Sequence, residues 1–324
     1  MMRHYAGKLV PRSVSIMDKV FSHPGIKQRY FAFDDPESIL GEDPDSRVSR
    51  FTRWSIELSS AAVTKALELA GVANHEVTGL VVNTCTGYLC PGISTYLIDR
   101  LGFNRGTQAL DLVGSGCGGA IPNLQVSASL ADESGEGVVV SVAVEICSST
   151  FQMGDDMSLI VSNALFGDGA AAAVIRKNSK GLELVSAANY FAPEHREKIR
   201  YVYKKGELYN QLSTSLHVPV RKAVAQIVSD LLSSQNLKIT DISHWALHNG
   251  GEKIISAIKS ELGLSEQQLC PTRTVLEKYG NMSSPTVWFV LKEIMDKGID
   301  AGDWLMMIAF GAGLSAHGYL LRKR

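Results

Sequence analysis

Short apolar, β-branched runs alternate along the first half of the chain with segments whose apolar positions recur at helical spacing. "TGLVVNT" (78–84) is followed by "ISTYLIDRLG" (93–102), "GTQALDLV" (106–113), a helical stretch after Cys117, and "GVVVSVAV" (137–144). Runs without a polar alternation suit strands covered on both faces, so the pattern predicts an α/β fold around a largely parallel, buried sheet. The second half repeats the scheme: "SHWALHN" (243–249), a helix over "SSPTVWFVLKEIMDKG" (283–298), and "WLMMIAF" (304–310). "FGDGAAAAVI" (166–175) and "FGAGLSAHGYLL" (310–321) each set a glycine turn before a further strand. The spacing is shared too: Cys117 follows Thr84 by 33 residues, and Asn281 follows His248 by 33. A duplicated α/β unit accounts for this, with halves at 1–190 and 191–324. The polar, irregular segment "YFAPEHREKIRYVYKKGELYNQLST" (190–214) reads as the junction, carrying a surface excursion.

Duplication around a pseudo-two-fold axis brings the helix-opening loops at Cys117 and Asn281 together, with His248 at a strand end beside them, where open α/β sheets bind ligands. Taken singly, each residue has an ordinary structural role: a buried thiol in a tight turn, a histidine satisfied by backbone, an asparagine cap. Together they are chemistry. The glycines of "GSGCGGA" (114–120) let an electrophilic carbonyl and backbone N–H groups approach the sulfur, and a helix N-terminus with an adjacent imidazole predicts a lowered thiol pKa. Cysteine, histidine and asparagine in this order also describe a papain-like protease. An Asn in a loop equivalent to that of the Cys suits instead an amide facing the substrate: two donors opposite a thiolate, which is equipment for forming carbon–carbon bonds on thioesters.

A composition of 324 residues, 45% hydrophobic and 20% charged, with formal net charge −1 and dispersed Lys and Arg, gives no reason to expect nucleic acid or an anionic membrane as partner. The N-terminus lacks a signal-type apolar run, and the longest apolar stretch is short and glycine-broken, so no membrane span and a cytoplasmic location are expected. Five cysteines without paired CxxC spacing predict free thiols and no metal site.

From about Ser22 onward, "HPGIKQRY", "TCTGYLCPG", "GCGG", "ALFGDGAAA", "WALHNGG", "YGNMSS" and "FGAGL" make the chain resemble the type III polyketide synthases, the chalcone-synthase-like group of the thiolase superfamily. The resemblance implies a homodimeric thiolase fold with a layered αβαβα core. It implies Cys117 as the acyl-carrying nucleophile, His248 and Asn281 as the pair that promotes malonyl decarboxylation and binds the thioester carbonyl, and Phe166 as gatekeeper between a CoA tunnel and a cavity. Thr86, Thr150, Ser283, Cys85, Cys90, Cys147 and Leu212 fall at cavity-lining positions, and Lys19 at a CoA-contacting one. The implied reaction joins malonyl-CoA to an acyl-CoA starter and cyclises the product to a pyrone or resorcinol type, with no metal or organic cofactor. An initiating ketoacyl-carrier-protein synthase and a non-catalytic binding homologue are the competing readings. The chain departs from the family at "HNGG" for "HPGG", at Gly311-Ala312-Gly313 for a glycine-proline-glycine loop, and in beginning where family members have completed a first strand. Cys90 and Leu212 stand where plant relatives carry methionine and phenylalanine, and that smaller volume predicts medium- to long-chain fatty acyl starters.

Overall fold

The computed structural model describes residues 7, 9–39, 41–133, 135–177 and 180–324. Its first sheet contains β1 (Val77–Asn83), β2 (Gln108–Leu112), β3 (Val138–Glu145) and β4 (Gly169–Ile175), in the order β2-β1-β3-β4. The second contains β5 (Leu182–Phe191), β8 (Ile242–Leu247), β9 (Trp304–Gly311) and β10 (Ser315–Lys323), in the order β5-β10-β9-β8. β1 pairs in parallel with β3, and β3 antiparallel with β4; likewise β8 pairs in parallel with β9, and β9 antiparallel with β10. The duplication is therefore real: β1, β3 and β4 correspond to β8, β9 and β10. The sheets are mixed rather than largely parallel: β10 folds straight back on β9 through the glycine turn at 311–313, and β4 returns antiparallel to β3 after the helix Met157–Leu165. The expected boundary at 190/191 falls at the end of β5, which pairs with β10 and so belongs wholly to the second sheet. On the outer side of β4, where β10 has β5, no strand lies among the described residues. The expectation about a first strand bears also on residues 1–6, which lie outside them.

Helices α1 (Pro11–Phe21), α2 (Pro44–Ala70) and α3 (Ile93–Leu101) belong to the first half, as do α4 (Ala120–Glu133) and α5 (Met157–Leu165). α6 (His217–Ser234), α7 (Glu252–Leu262), α8 (Glu266–Tyr279) and α9 (Thr286–Lys297) belong to the second. α2 starts where Asp43 accepts from the N–H groups of Asp45 and Ser46 and Pro44 occupies its first turn, and it stops at Gly71 in the left-handed conformation.

Five layers result. Val140, Val142 and Val144 of β3 pack outward with Phe51, Val63 and Leu67 of α2. Ala143 faces inward to a middle layer built from Ile121 and Leu124 of α4 and from Val287, Val290 and Leu291 of α9. On the other side Leu305, Met307 and Ala309 of β9 close that layer, while Met306, Ile308 and Phe310 point out to Val224 and Ile227 of α6. This is the expected αβαβα stack, and it explains why the strands read as unbroken apolar runs. None of the described helices is long and apolar enough to cross a membrane.

The junction segment is not a simple surface excursion. β6 (Ile199–Lys204) and β7 (Glu207–Leu212) form a hairpin whose Leu212 packs against a buried cluster of Cys117, Cys147 and Phe166.

Candidate active site

β1, β3, β8 and β9 all end on one edge, and their loops converge there. Cys117 lies in a 3-10 turn, Gly116–Gly118, just ahead of α4. Gly116 has φ +56, and a Cβ on Gly311, at the end of β9, would overlap the carbonyl oxygen of Ser115 and come within 2.5 Å of Gly118 N. The small residues around the thiol thus let the two halves interlock. Asn281 does not open its helix. It lies five residues before α9, in an extended bridge to Phe166, with Asn281 N bonded to Leu165 O (2.9 Å) and Gly167 N to Asn281 O (2.9 Å).

Asn281 Oδ1 accepts from Ser283 N (2.7 Å), which assigns the amide's oxygen to that side and leaves its N–H₂ end toward Cys117. Asn281 and Ser283 lie near enough to the Cys117 sulfur to draw its pKa down, against the larger effect of burial. Ser283, at φ +58, is a non-glycine residue in the left-handed region; its Oγ is also 3.4 Å from Cys85 Sγ and from Glu145 Oε1. Backbone strain of this kind persists where surrounding bonds over-determine it.

Those bonds centre on Glu145, which the sequence reading passed over. Its buried carboxylate accepts from Thr84 Oγ1 (3.2 Å), Cys85 N (2.9 Å), Thr86 N (3.1 Å), Thr86 Oγ1 (2.9 Å) and Ser284 Oγ (2.6 Å). One carboxylate therefore ties the loop after β1 to the "YGNMSS" loop of the other half. Burial raises its pKa. Asp168 does similar work: it accepts from Ser148 N (2.8 Å), Ser148 Oγ (2.6 Å) and Ala32 N (2.7 Å), fixing the turn Cys147–Thr150.

His248 is buried, its backbone N–H donates to Ile308 O (2.8 Å), and its ring meets Phe310 edge-on at 5.0 Å. Its Nδ1 is sealed from solvent without a partner. Burial alone lowers its pKa to about 3, and burial pushes the Cys117 thiol up to about 12, against the pull of Ser283 and Asn281. The expected lowered thiol pKa is thus corrected: desolvation outweighs the helix terminus, so Cys117 rests as the thiol and His248 as the neutral imidazole.

Among the expected site residues, Cys117, Cys147, Phe166 and Leu212 share one apolar cluster with Phe151, and Cys85, Thr86 and Ser283 meet at Glu145. Thr150 Oγ1 donates to Cys147 O (2.9 Å). Cys90 is exposed, at a cis peptide before Pro91, and is not part of this cluster within one chain. Lys19 is exposed in the last turn of α1. All five cysteines are free.

His317 on β10 backs the nucleophile turn, its ring lying where a Cβ on Gly118 would reach it at 3.0 Å; Nδ1 bonds Asn189 Oδ1 (2.7 Å) and Nε2 is buried unpartnered. Burial lowers its pKa to about 4. Between pH 6.5 and 4 the unfolded chain therefore binds a proton at this residue that the folded chain refuses, and stability falls as pH falls. His317→Gln should reduce that loss by up to about 1.4 kcal/mol per pH unit. Urea unfolding across this window measures it, and equal slopes for variant and parent would refute the assignment.

Comparison with known proteins gives the family. Residues 1–190 match the family model described as FAE1/type III polyketide synthase-like protein, and residues 183–323 that of chalcone and stilbene synthases, C-terminal domain. A 3,5-dihydroxyphenylacetyl-CoA synthase from Amycolatopsis orientalis is 31% identical over 306 residues, covering 91% of this chain and 82% of the relative. The C-terminal type III polyketide synthase domain of Steely1 from Dictyostelium superposes with a TM-score of 0.90 at 26% identity, over 97% of this chain and 91% of that one. PKS-I from the brown alga Ectocarpus siliculosus does so at 0.88 and 26%, over 96% and 89%. With both halves matched and the thiolase-type fold in place, the chain belongs to the type III polyketide synthases and is an acyl-transferring enzyme.

Proposed function

We propose that Cys117 carries an acyl group taken from an acyl-CoA starter, and that malonyl-CoA is decarboxylated and condensed onto it, the product cyclising to a pyrone or resorcinol type. The observation carrying this reading is the convergence of the Cys117 sulfur with the Asn281 amide and Ser283 beneath Phe166. In loading, the sulfur attacks the thioester carbonyl while its proton passes to the neutral imidazole of His248, and CoA leaves as the thiolate to be protonated by solvent, so that His248 keeps the N–H for the next step and returns it to the sulfur after condensation. Malonyl-CoA then loses CO₂, and its enolate oxygen is held by the Asn281 N–H₂ and His248. The enolate carbon attacks the Cys117 thioester; the C–C bond forms, the C–S bond breaks and the sulfur is freed. CoA thioesters are the only small molecules this scheme needs, with Lys19 on α1 as a contact for CoA phosphates. The test is incubation with a panel of acyl-CoA starters and malonyl-CoA, with mass spectrometry of products. Carbon chains extended in two-carbon steps support the reading, and unchanged malonyl-CoA overturns it.

The working unit is a homodimer in the cytoplasm. β2 is an exposed edge strand, and Ser94 N and Oγ bond Asp111 of β2, which draws the loop bearing Cys90 onto that face. Tyr88 (71% exposed), Val113 (62%) and Leu110 (42%) lie along this part of the chain, an apolar surface of the kind that a second copy covers. Such contact would bury Cys90. Light scattering should give twice the 35.1 kDa chain mass, and a stable monomer at micromolar concentration contradicts the dimer. A free thiol exposed away from that face, Cys270, suits a reducing compartment.

A further inference from the structure

The β6–β7 hairpin presents more to the site than Leu212. Ile199 pairs with Leu212 and Tyr201 with Asn210, so side-chain alternation puts Tyr201 on the same face as Leu212, diagonally beside it. The Tyr201 hydroxyl reaches Thr150 Oγ1 at 3.5 Å. Thr150 already donates its proton to Cys147 O (2.9 Å), so in the contact with Tyr201 the phenol is the donor, at the outer limit of a hydrogen bond. The ring thus stands beside Leu212 on the face turned to the site, and its O–H is held weakly enough to be taken by a better acceptor.

Resting on the reading of the site above, we propose that Tyr201 is the specificity-determining residue of the cavity: it excludes long alkyl starters, and its O–H donates to a carbonyl oxygen of the acyl chain on Cys117. A fatty acyl chain laid against Tyr201 would leave its hydroxyl with only the long contact to Thr150, whereas a chain built from malonyl units offers an acceptor at every second carbon. This proposal runs against the expectation of long-chain starters: Cys90 is not part of the cluster around Cys117 within one chain, and Tyr201 stands beside Leu212 on the same face of the hairpin. Burial and the neighbouring Cys85 and Cys147 hold the phenol well above its ordinary pKa, which keeps the proton on the oxygen as the scheme requires.

The experiment compares the full chain with Tyr201→Phe and Tyr201→Ala, measuring kcat/KM for acetyl-, hexanoyl- and dodecanoyl-CoA, each with malonyl-CoA, and identifying products by mass spectrometry. The parent should prefer acetyl- to dodecanoyl-CoA. Tyr201→Phe, which keeps the ring and loses one oxygen, should lower the acetyl-to-dodecanoyl ratio at least fivefold and shorten the polyketide. Tyr201→Ala should lower that ratio further by opening the space. Ratios and chain lengths equal in all three proteins overturn the assignment, as does a parent that prefers dodecanoyl-CoA. Absence of any condensation product from the parent overturns the reading of the site itself.

Discussion

Asn281→Ala is expected to lower malonyl-CoA decarboxylation and polyketide formation together by about 10²- to 10³-fold, the scale set by removing one donor to a developing oxyanion. Cys117→Ala should behave differently, abolishing polyketide formation while leaving measurable decarboxylation, because the sulfur is needed to hold the acyl group and not to stabilise the enolate. The structure gives the division a geometric basis. The Asn281 amide is fixed by Ser283 N on its oxygen and by the backbone bridge to Phe166, so its donor end is set whether or not sulfur is present. His248 is held by β9 and Phe310, independently of Cys117, and His248→Ala should follow Asn281→Ala. Release of ¹⁴CO₂ from labelled malonyl-CoA and product yield, measured side by side on folded variants, check it. Decarboxylation lost as completely in Cys117→Ala as in Asn281→Ala would mean that the thiol and the two donors act as one unit.

Which parts of this architecture were legible in the sequence follows from where the information resides. The strands β1, β3, β8 and β9 were plain because each is sandwiched between helical layers and must be apolar on both faces. The 33-residue repeat brought Cys117 and Asn281 into one site because it reflects the pseudo-symmetry of the two sheets. The direction of β4 and β10 was not legible: a buried strand reads alike whichever way it runs. The hairpin left a fainter trace, alternation in "RYVY" and "ELYN" about Lys205 and Gly206, both at positive φ, within a polar segment that otherwise resembles a surface loop. Glu145 had a signal, a carboxylate closing an eight-residue strand that is otherwise apolar but for Ser141, but its meaning depends on hydroxyls from loops far apart in sequence. The Cys117 pKa is hidden from the sequence for a similar reason. A helix terminus can be seen in a sequence, whereas the desolvation that overrides it belongs to the packed fold.

Gly311→Ala should be the most damaging single methyl in the protein. Its Cβ would overlap Ser115 O and press on Gly118 N (2.5 Å) and Cys117 N (3.0 Å), all of them backbone atoms that no rotamer change can clear. Either β9 or the nucleophile turn must move. β9 is paired on both sides, with β8 and β10, and its neighbours Ile308, Ala309 and Phe310 are buried, so the turn is the part that yields. A displacement of about 1 Å at a reacting atom costs on the order of 10²-fold in rate, and overpacking of this kind costs about 1–3 kcal/mol even where side chains can adjust. We expect polyketide formation to fall at least 10²-fold, and the urea unfolding free energy to drop by about 3 kcal/mol or more. Gly106→Ala is the matched control, since a Cβ there meets nothing within 4 Å. It should change neither quantity beyond about 0.5 kcal/mol or twofold. A Gly311→Ala enzyme with parental turnover would show that the halves do not interlock at this contact, and that the small residues around Cys117 serve only the approach of substrate.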